Sequence, residues 1–384
     1  YGEQLMNGKK GGIVAIDPRN GEILSLVSAP SYNPNLLIGR NRSENYMELY
    51  RDSIYKPLID KSLLNMHAPG SPFKILVGLS ALQEKAITEK TSIYCNNYYQ
   101  YGKEKRTMQC HCGGGHRNLT NSISLSCNSY FANAYRKTID NKSPTKEAFN
   151  NWSDQMKSFG LGEYLNNDLS VGKKGIIPDF EFYNKWYPDF KWGATTTLSN
   201  SIGQGEVLVT PIQLANMTAA IANKGYYYTP HIIKKIEGSE IDSKFKTKNY
   251  TLIDSIHFEP IIEGLSKVYK SGTAQFLQVP EIEICGKTGT AENFTKINGK
   301  KTQLTDHSIF VAFAPKDNPT IAISVLVENG YYGSRWAGRI ASLMIEKYIK
   351  GEVTLKNMEQ LVMNKSLDEE YQKPFLNKPF KINQ

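Results

Sequence analysis

Ser71 and Lys74 are the pair in this chain best suited to covalent chemistry. At positions i and i+3 of a helix they share a face, so the amine can reach the hydroxyl. Pro69-Gly70 breaks the chain just before them, and the apolar spacing of residues 73–82 predicts a buried helix. Ser71 then sits at a helix N-terminus, where the positive end of the dipole stabilises an alkoxide and disfavours a protonated lysine nearby. A partly desolvated Lys74 would be the general base for a serine nucleophile. Taken alone, the pair reads more simply as an N-cap and a solvated lysine.

Two further motifs change that balance. Ser126-Cys127-Asn128 lies 55 residues after Ser71, at the junction of two helices predicted over 121–138. Lys287-Thr288-Gly289-Thr290 lies 161 residues after Ser126, on a strand predicted over 282–290. Coincidence does not readily supply three motifs in this order, each in a fitting local context. Gly289 has a physical reading of its own, since a side chain there could block a substrate lying along the strand.

The cysteines suggest a second centre. Five is an odd number, so complete pairing within the chain is impossible, and four of them fall between Cys95 and Cys127 beside two histidines. Cys95, Cys110, His116 and Cys127 form a Cys₃His set suited to tetrahedral structural zinc, although the spacing matches no compact finger. A Cys95–Cys110 disulfide and a group of buried thiols are the competing readings. His111 and Cys112 are alternative donors. Cys285 reads as a packing thiol.

The elements that must position these residues follow from pattern. Residues 13–17 and 22–27 read as a hairpin around the turn Asp17-Pro18-Arg19-Asn20-Gly21. Pro211 opens a helix that runs to about residue 223. Strands are predicted at 308–314 and 320–327, after a polar loop over 292–306, and an amphipathic helix follows at 334–350. Strands at both ends with a helical middle indicate an α+β architecture, in which the terminal strands share one antiparallel sheet. Residues 1–352 read as one catalytic domain with a helical insertion at approximately 60–225. Residues 353–384 read as a C-terminal tail, partly disordered.

Composition is that of a globular protein, with 40% hydrophobic and 22% charged residues. The net charge of +9 comes from scattered basic residues, not from the single basic face of a nucleic-acid binder. No apolar stretch approaches the roughly 20 residues that cross a bilayer. The opening residues carry no signal-peptide pattern.

The motif set Ser71/Lys74, Ser126/Asn128 and Lys287/Thr288/Gly289 is the one shared by penicillin-binding proteins and class A β-lactamases. Nearly the whole chain, to about Gly351, resembles the transpeptidase domain of class B penicillin-binding proteins, and within them the elongation-specific penicillin-binding protein 2. The resemblance rests on residues 12–18 and 21–24, on Ala68-Pro69-Gly70-Ser71-Pro72-Phe73-Lys74, on Ser201-Ile202-Gly203-Gln204-Gly205, on residues 286–292, and on residues 310–315 and 327–330. It implies a penicillin-binding/β-lactamase-like fold, an antiparallel sheet flanked by helices with a helical subdomain, and D,D-transpeptidation of peptidoglycan stem peptides with covalent inhibition by β-lactams. It further implies that Ser126 relays a proton, that Asn128 binds the substrate amide and Lys74, and that Lys287 supplies positive potential. Thr288 and Thr290 would hold the substrate carboxylate, and the N–H groups of Ser71 and Thr290 would form the oxyanion hole. No cofactor is needed for the chemistry. Some members carry a metal site at places matching Cys127 and His116. The expected setting is a catalytic domain in the periplasm, cut from a protein anchored in the bacterial inner membrane, with a RodA-type glycosyltransferase as partner. A serine β-lactamase and a β-lactam receptor remain alternatives.

Overall fold

The computed structural model describes residues 1–140, 145–190, 192–297 and 299–375. Segments far apart in sequence build one five-stranded sheet. Strands β1 (Gly11–Ile16) and β2 (Ile23–Ala29) come from the start of the chain. Strands β3 (Cys285–Ile297), β4 (Lys300–Ala314) and β5 (Ile321–Val327) come from its last third. The spatial order is β2-β1-β5-β4-β3, and every neighbouring pair is antiparallel. The α+β architecture expected from the sequence is the one observed.

The helices that bear on the site are α1 (Lys74–Gln83), α2 (Leu119–Ser124), α3 (Asn128–Asp140), α4 (Pro211–Ala222), α5 (Phe258–Ser271) and α6 (Ala337–Lys350). β1 and β5 are buried at every residue, as strands covered on both faces must be. Val14 and Ile16 pack with Ile212 and Ala215 of α4 on one face. Ile13, on the opposite face by strand alternation, reaches the same spot beside Gly2 as Met344 of α6. A capping box between Thr210 and Gln213, with Pro211 in the first turn, starts α4 where the sequence placed it.

Two expectations change. The polar loop expected over 292–306 is instead a continuation of the hairpin, with residues 293–297 of β3 paired to 300–304 of β4. Side chains there are mostly exposed or half-buried, so polarity marks a strand pair with no core beneath it. The tail expected to be partly disordered forms helices over Lys356–Asn364 and Asp368–Gln372. The buried Lys9 amine donates to the carbonyls of Val362 and Lys365, and the Tyr371 hydroxyl to that of Glu328, which ties the tail to the sheet domain. Residues 376–384 lie outside the described residues. Among the described residues no helix is long and apolar enough to cross a membrane.

Candidate active site

Ser71 opens a short 3₁₀ turn, Ser71–Phe73, that runs directly into α1. Gly70 before it has a φ of 61°, and a Cβ there would come within 2.7 Å of the Thr290 carbonyl oxygen. Glycine alone meets both demands, and the nucleophile turn is thereby pressed against β3. Phe73 anchors the other side of the turn, fully buried with its ring 6.1 Å from that of Trp152.

Lys74 is completely buried, so its ammonium group must find acceptors inside the protein. It donates to the Ser126 carbonyl at 2.9 Å, to Ser126 Oγ at 3.1 Å and to Asn128 Oδ1. These three bonds use all three donors of an ammonium group. Ser126 Oγ donates in turn to Ser71 Oγ at 3.0 Å. Lys74 therefore meets the nucleophile through Ser126 and not across the helix face, as the spacing alone suggested. Ser126 adopts a φ of 56° between α2 and α3, which turns its carbonyl and its hydroxyl toward the same amine. Burial lowers the Lys74 pKa to about 8, against a smaller upward pull from the nearby thiols.

β3 forms the opposite wall. Lys287 is fully buried, with its amine 3.3 Å from the Thr288 carbonyl and 3.5 Å from the Thr288 hydroxyl. Burial first, and then the charge of Lys74, push it well below the ordinary lysine range. Thr288 Oγ1 lies 2.9 Å from Thr273 Oγ1, and Gln204 donates to the Thr290 carbonyl at 3.1 Å. A Cβ on Gly289 would come within 2.7 Å of Pro72 Cδ. The glycine is thus required by the close approach of the nucleophile turn, a different reason from the substrate clearance expected of it. Ser71, Ser126, Asn128, Thr288 and Thr290 line one cavity of about 570 Å³, so the three sequence motifs converge on it.

Gln204, Thr273 and His111 also line this cavity and were not picked out as catalytic or substrate-binding residues, His111 being expected only as an alternative metal donor. Gln204 had a signal, since it lies between two glycines in the sequence, and both prove to have positive φ. Thr273 had none.

The thiols gather on the far side of Ser126 and Asn128. The sulfurs of Cys95, Cys110, Cys112 and Cys127 are buried and all lie within 4.8 Å of one another. Zinc–sulfur bonds of about 2.3 Å put tetrahedral sulfurs about 3.8 Å apart, so this set fits a Cys₄ metal site. Cys112 takes the place expected for His116. The reason is strand alternation: Cys95 pairs with Gly115 and faces inward, while Tyr94 pairs with His116 and both point outward, with rings 5.1 Å apart. The cluster is wired to the catalytic triplet. The Asn128 N–H donates to Cys110 Sγ at 3.1 Å, and Cys95 Sγ lies 3.2 Å from Ser129 Oγ. The hydrogen bond between Cys110 and Cys127 pulls the Cys110 thiol down and pushes Cys127 up. All five cysteines are free, and Cys285 is buried near the Ile262 carbonyl, as a packing thiol would be.

The family model described as penicillin binding protein transpeptidase domain matches residues 11–346. The chain is 34% identical to the peptidoglycan D,D-transpeptidase MrdA of Acinetobacter baumannii over 347 residues, covering 86% of this chain and 49% of that protein. Among solved structures, Pseudomonas aeruginosa PBP2 in complex with WCK 5153 superposes with a TM-score of 0.78 at 31% identity, covering 92% of this chain and 75% of that one. Helicobacter pylori PBP2 in complex with MreC gives a TM-score of 0.75 at 29% identity, covering 91% and 62%. The chain spans about half the length of the curated relatives it matches.

Proposed function

The chain belongs to the penicillin-binding protein transpeptidase family, and from that premise we propose that it is a peptidoglycan D,D-transpeptidase of cell elongation, covalently inhibited by β-lactams. The observation that carries this reading is the hydrogen-bonded run from Lys74 through Ser126 to Ser71 in the shared cavity. Ser71 attacks the carbonyl between the two terminal D-alanines of a stem peptide. Its proton passes to Ser126 Oγ as Ser126 gives its own to the neutral Lys74 amine. The N–H groups of Ser71 and Thr290 receive the oxyanion, at about 10²–10³ in rate for each donor. When the C–N bond breaks, the proton returns through Ser126 to the departing D-alanine amine, leaving an ester on Ser71. An amine of a second stem peptide resolves that ester by the same route in reverse.

In this reading Asn128 binds the substrate amide and holds Lys74. Lys287 turns its amine toward the substrate carboxylate, which Thr288 and Thr290 bind with their hydroxyls. A bound carboxylate would favour the charged form of Lys287, which burial disfavours. Gly289 acts indirectly, by letting Pro72 approach.

Zinc is proposed as the occupant of the four-thiol site, held by Cys95, Cys110, Cys112 and Cys127. It would supply a rigid clamp and no chemistry of its own. Cys127 separates Ser126 from Asn128, so fixing its sulfur fixes the backbone on which both side chains turn. Residues 1–352 are taken as the catalytic unit, with the helical insertion at approximately 60–225, and 353–384 as an appended tail. The relatives' names, a peptidoglycan D,D-transpeptidase and PBP2, support the transpeptidase reading, and the elongation role is proposed from the sequence resemblance to penicillin-binding protein 2. An inner-membrane anchor, a periplasmic catalytic domain and a RodA-type glycosyltransferase partner are likewise proposed from the sequence resemblance alone.

The test is turnover. Purified stem peptides ending in D-Ala-D-Ala should be cross-linked with release of one D-alanine per bond. A stable penicillin adduct without cross-linking would indicate a receptor, and rapid release of the hydrolysed drug a β-lactamase.

A further inference from the structure

We propose that Asp306 and Glu292 form a subsite for the ammonium group carried by the diamino acid of a stem peptide. This rests on the transpeptidase reading above and adds to it which part of the substrate the far end of the cleft recognises.

The pairing of β3 with β4 places the two acids. Register is regular from Phe313 opposite Cys285 to His307 opposite Ala291, and resumes at Leu304 opposite Asn293. Between those points Thr305 and Asp306 together face the single residue Glu292. Such a bulge re-aims a side chain, and bulges concentrate beside active sites. Here Asp306 and Glu292 both line the cavity that holds Ser71 and Thr290.

The two carboxylates lie where a cation would relieve their mutual repulsion. Like charges directly opposite one another on paired strands repel. No lysine or arginine is among the described residues that line this cavity. Asp306 Oδ1 is shielded from solvent and has no hydrogen-bond partner, although Gln303 and the Asn293 N–H bond to the carboxylate elsewhere. Burial raises the Asp306 carboxyl, against a smaller downward pull from hydrogen bonds with Gln303 and the Asn293 backbone, and the charge of Glu292 adds to the rise. A half-buried carboxylate with an unpartnered oxygen is completed by a charged donor.

Direction along the strand identifies the donor. Thr288, Thr290 and Glu292 line the cavity on one face of β3, successive positions about 7 Å apart. With the terminal carboxylate at Thr288 and Thr290 and the reacting carbonyl at Ser71, a peptide extended along β3 carries its upstream residue toward Glu292. In a stem peptide that residue is the diamino acid, whose side chain carries a second amine. The same chemistry could come from the donor stem lying in the cleft or from the acceptor that arrives at the ester.

The experiment uses the native chain, Glu292→Gln, and Asp306→Asn combined with Glu292→Gln. Labelling of native Ser71 by a fluorescent penicillin establishes the underlying reading; no label would remove that reading independently of the subsite. Donor stem peptides with a free or an N-acetylated side-chain amine are then compared, using glycine as a common acceptor. In a second arm, diamine and monoamine acceptors are compared on the acetylated donor. Native protein should prefer the charged partner in kcat/KM by about tenfold in one arm, which names the source. The double variant should lose that preference while retaining a native circular dichroism spectrum. Glu292→Gln alone, at an exposed position, should reduce it. Equal rates for charged and acetylated partners in both arms, or a preference unchanged in folded double variant, would overturn the proposal.

Discussion

The hydroxyl of Ser126 stands 3.0 Å from that of Ser71 and donates to it, while the Lys74 amine approaches the same Ser126 oxygen at 3.1 Å. Removing this hydroxyl breaks the proton path without touching the nucleophile. Ser126→Ala should slow penicillin acylation by about 10²-fold or more, the usual worth of a positioned proton-transfer group. Stopped-flow labelling measures it. An unchanged rate would mean that Lys74 serves Ser71 without the relay.

Acylation should also depend on pH with a definite sign. Burial holds the Lys74 pKa at about 8, below the ordinary lysine value. Only the neutral amine can accept a proton, so the rate should climb as pH rises toward 8 and level off above it. Below pH 7 it should fall by about tenfold per unit. A rate profile from pH 5.5 to 9.5 checks this, and a flat profile would exclude Lys74 as the base.

Gly289→Ala places a methyl group 2.7 Å from Pro72 Cδ, where neither the strand nor the proline ring can easily yield. The overpacking should cost about 1–3 kcal/mol. Both the melting temperature and the acylation rate should fall, because the displaced turn carries Ser71. A variant with native stability and a slowed reaction only with peptide substrates would instead support the substrate-clearance explanation.

Metal content separates the two ligand sets. Cys112→Ser should lower zinc, measured by elemental analysis of freshly purified protein, whereas His116→Ala should leave it unchanged. Chelation should lower the melting temperature of native protein and leave that of Cys112→Ser nearly unaffected. Zinc lost with His116 and kept without Cys112 would restore the Cys₃His set.

What the sequence revealed follows from the range over which each feature is encoded. The Ser71 turn, the Ser126-Cys127-Asn128 junction and the Lys287–Thr290 strand are local patterns, and they converge as expected. The metal ligands depend on which way side chains alternate in the short strands Ile93–Cys95 and Gly115–Arg117, a register that spacing does not state. The hairpin beyond Thr290 was hidden because its residues lie over no core and so show no burial pattern. The relay through Ser126 arises from the demand of a buried ammonium for three acceptors, two of them contributed by a residue 52 positions away. The resemblance supplied the relay role, but spacing alone pointed to direct contact.

The most direct measurement is the site of covalent attachment. Native protein and Ser71→Ala are incubated with a labelled penicillin, digested and mapped by mass spectrometry. The expected result is one adduct, on the peptide containing Ser71, absent from the variant. An adduct on any other residue, or one that survives in Ser71→Ala, would contradict the assignment of Ser71 as nucleophile.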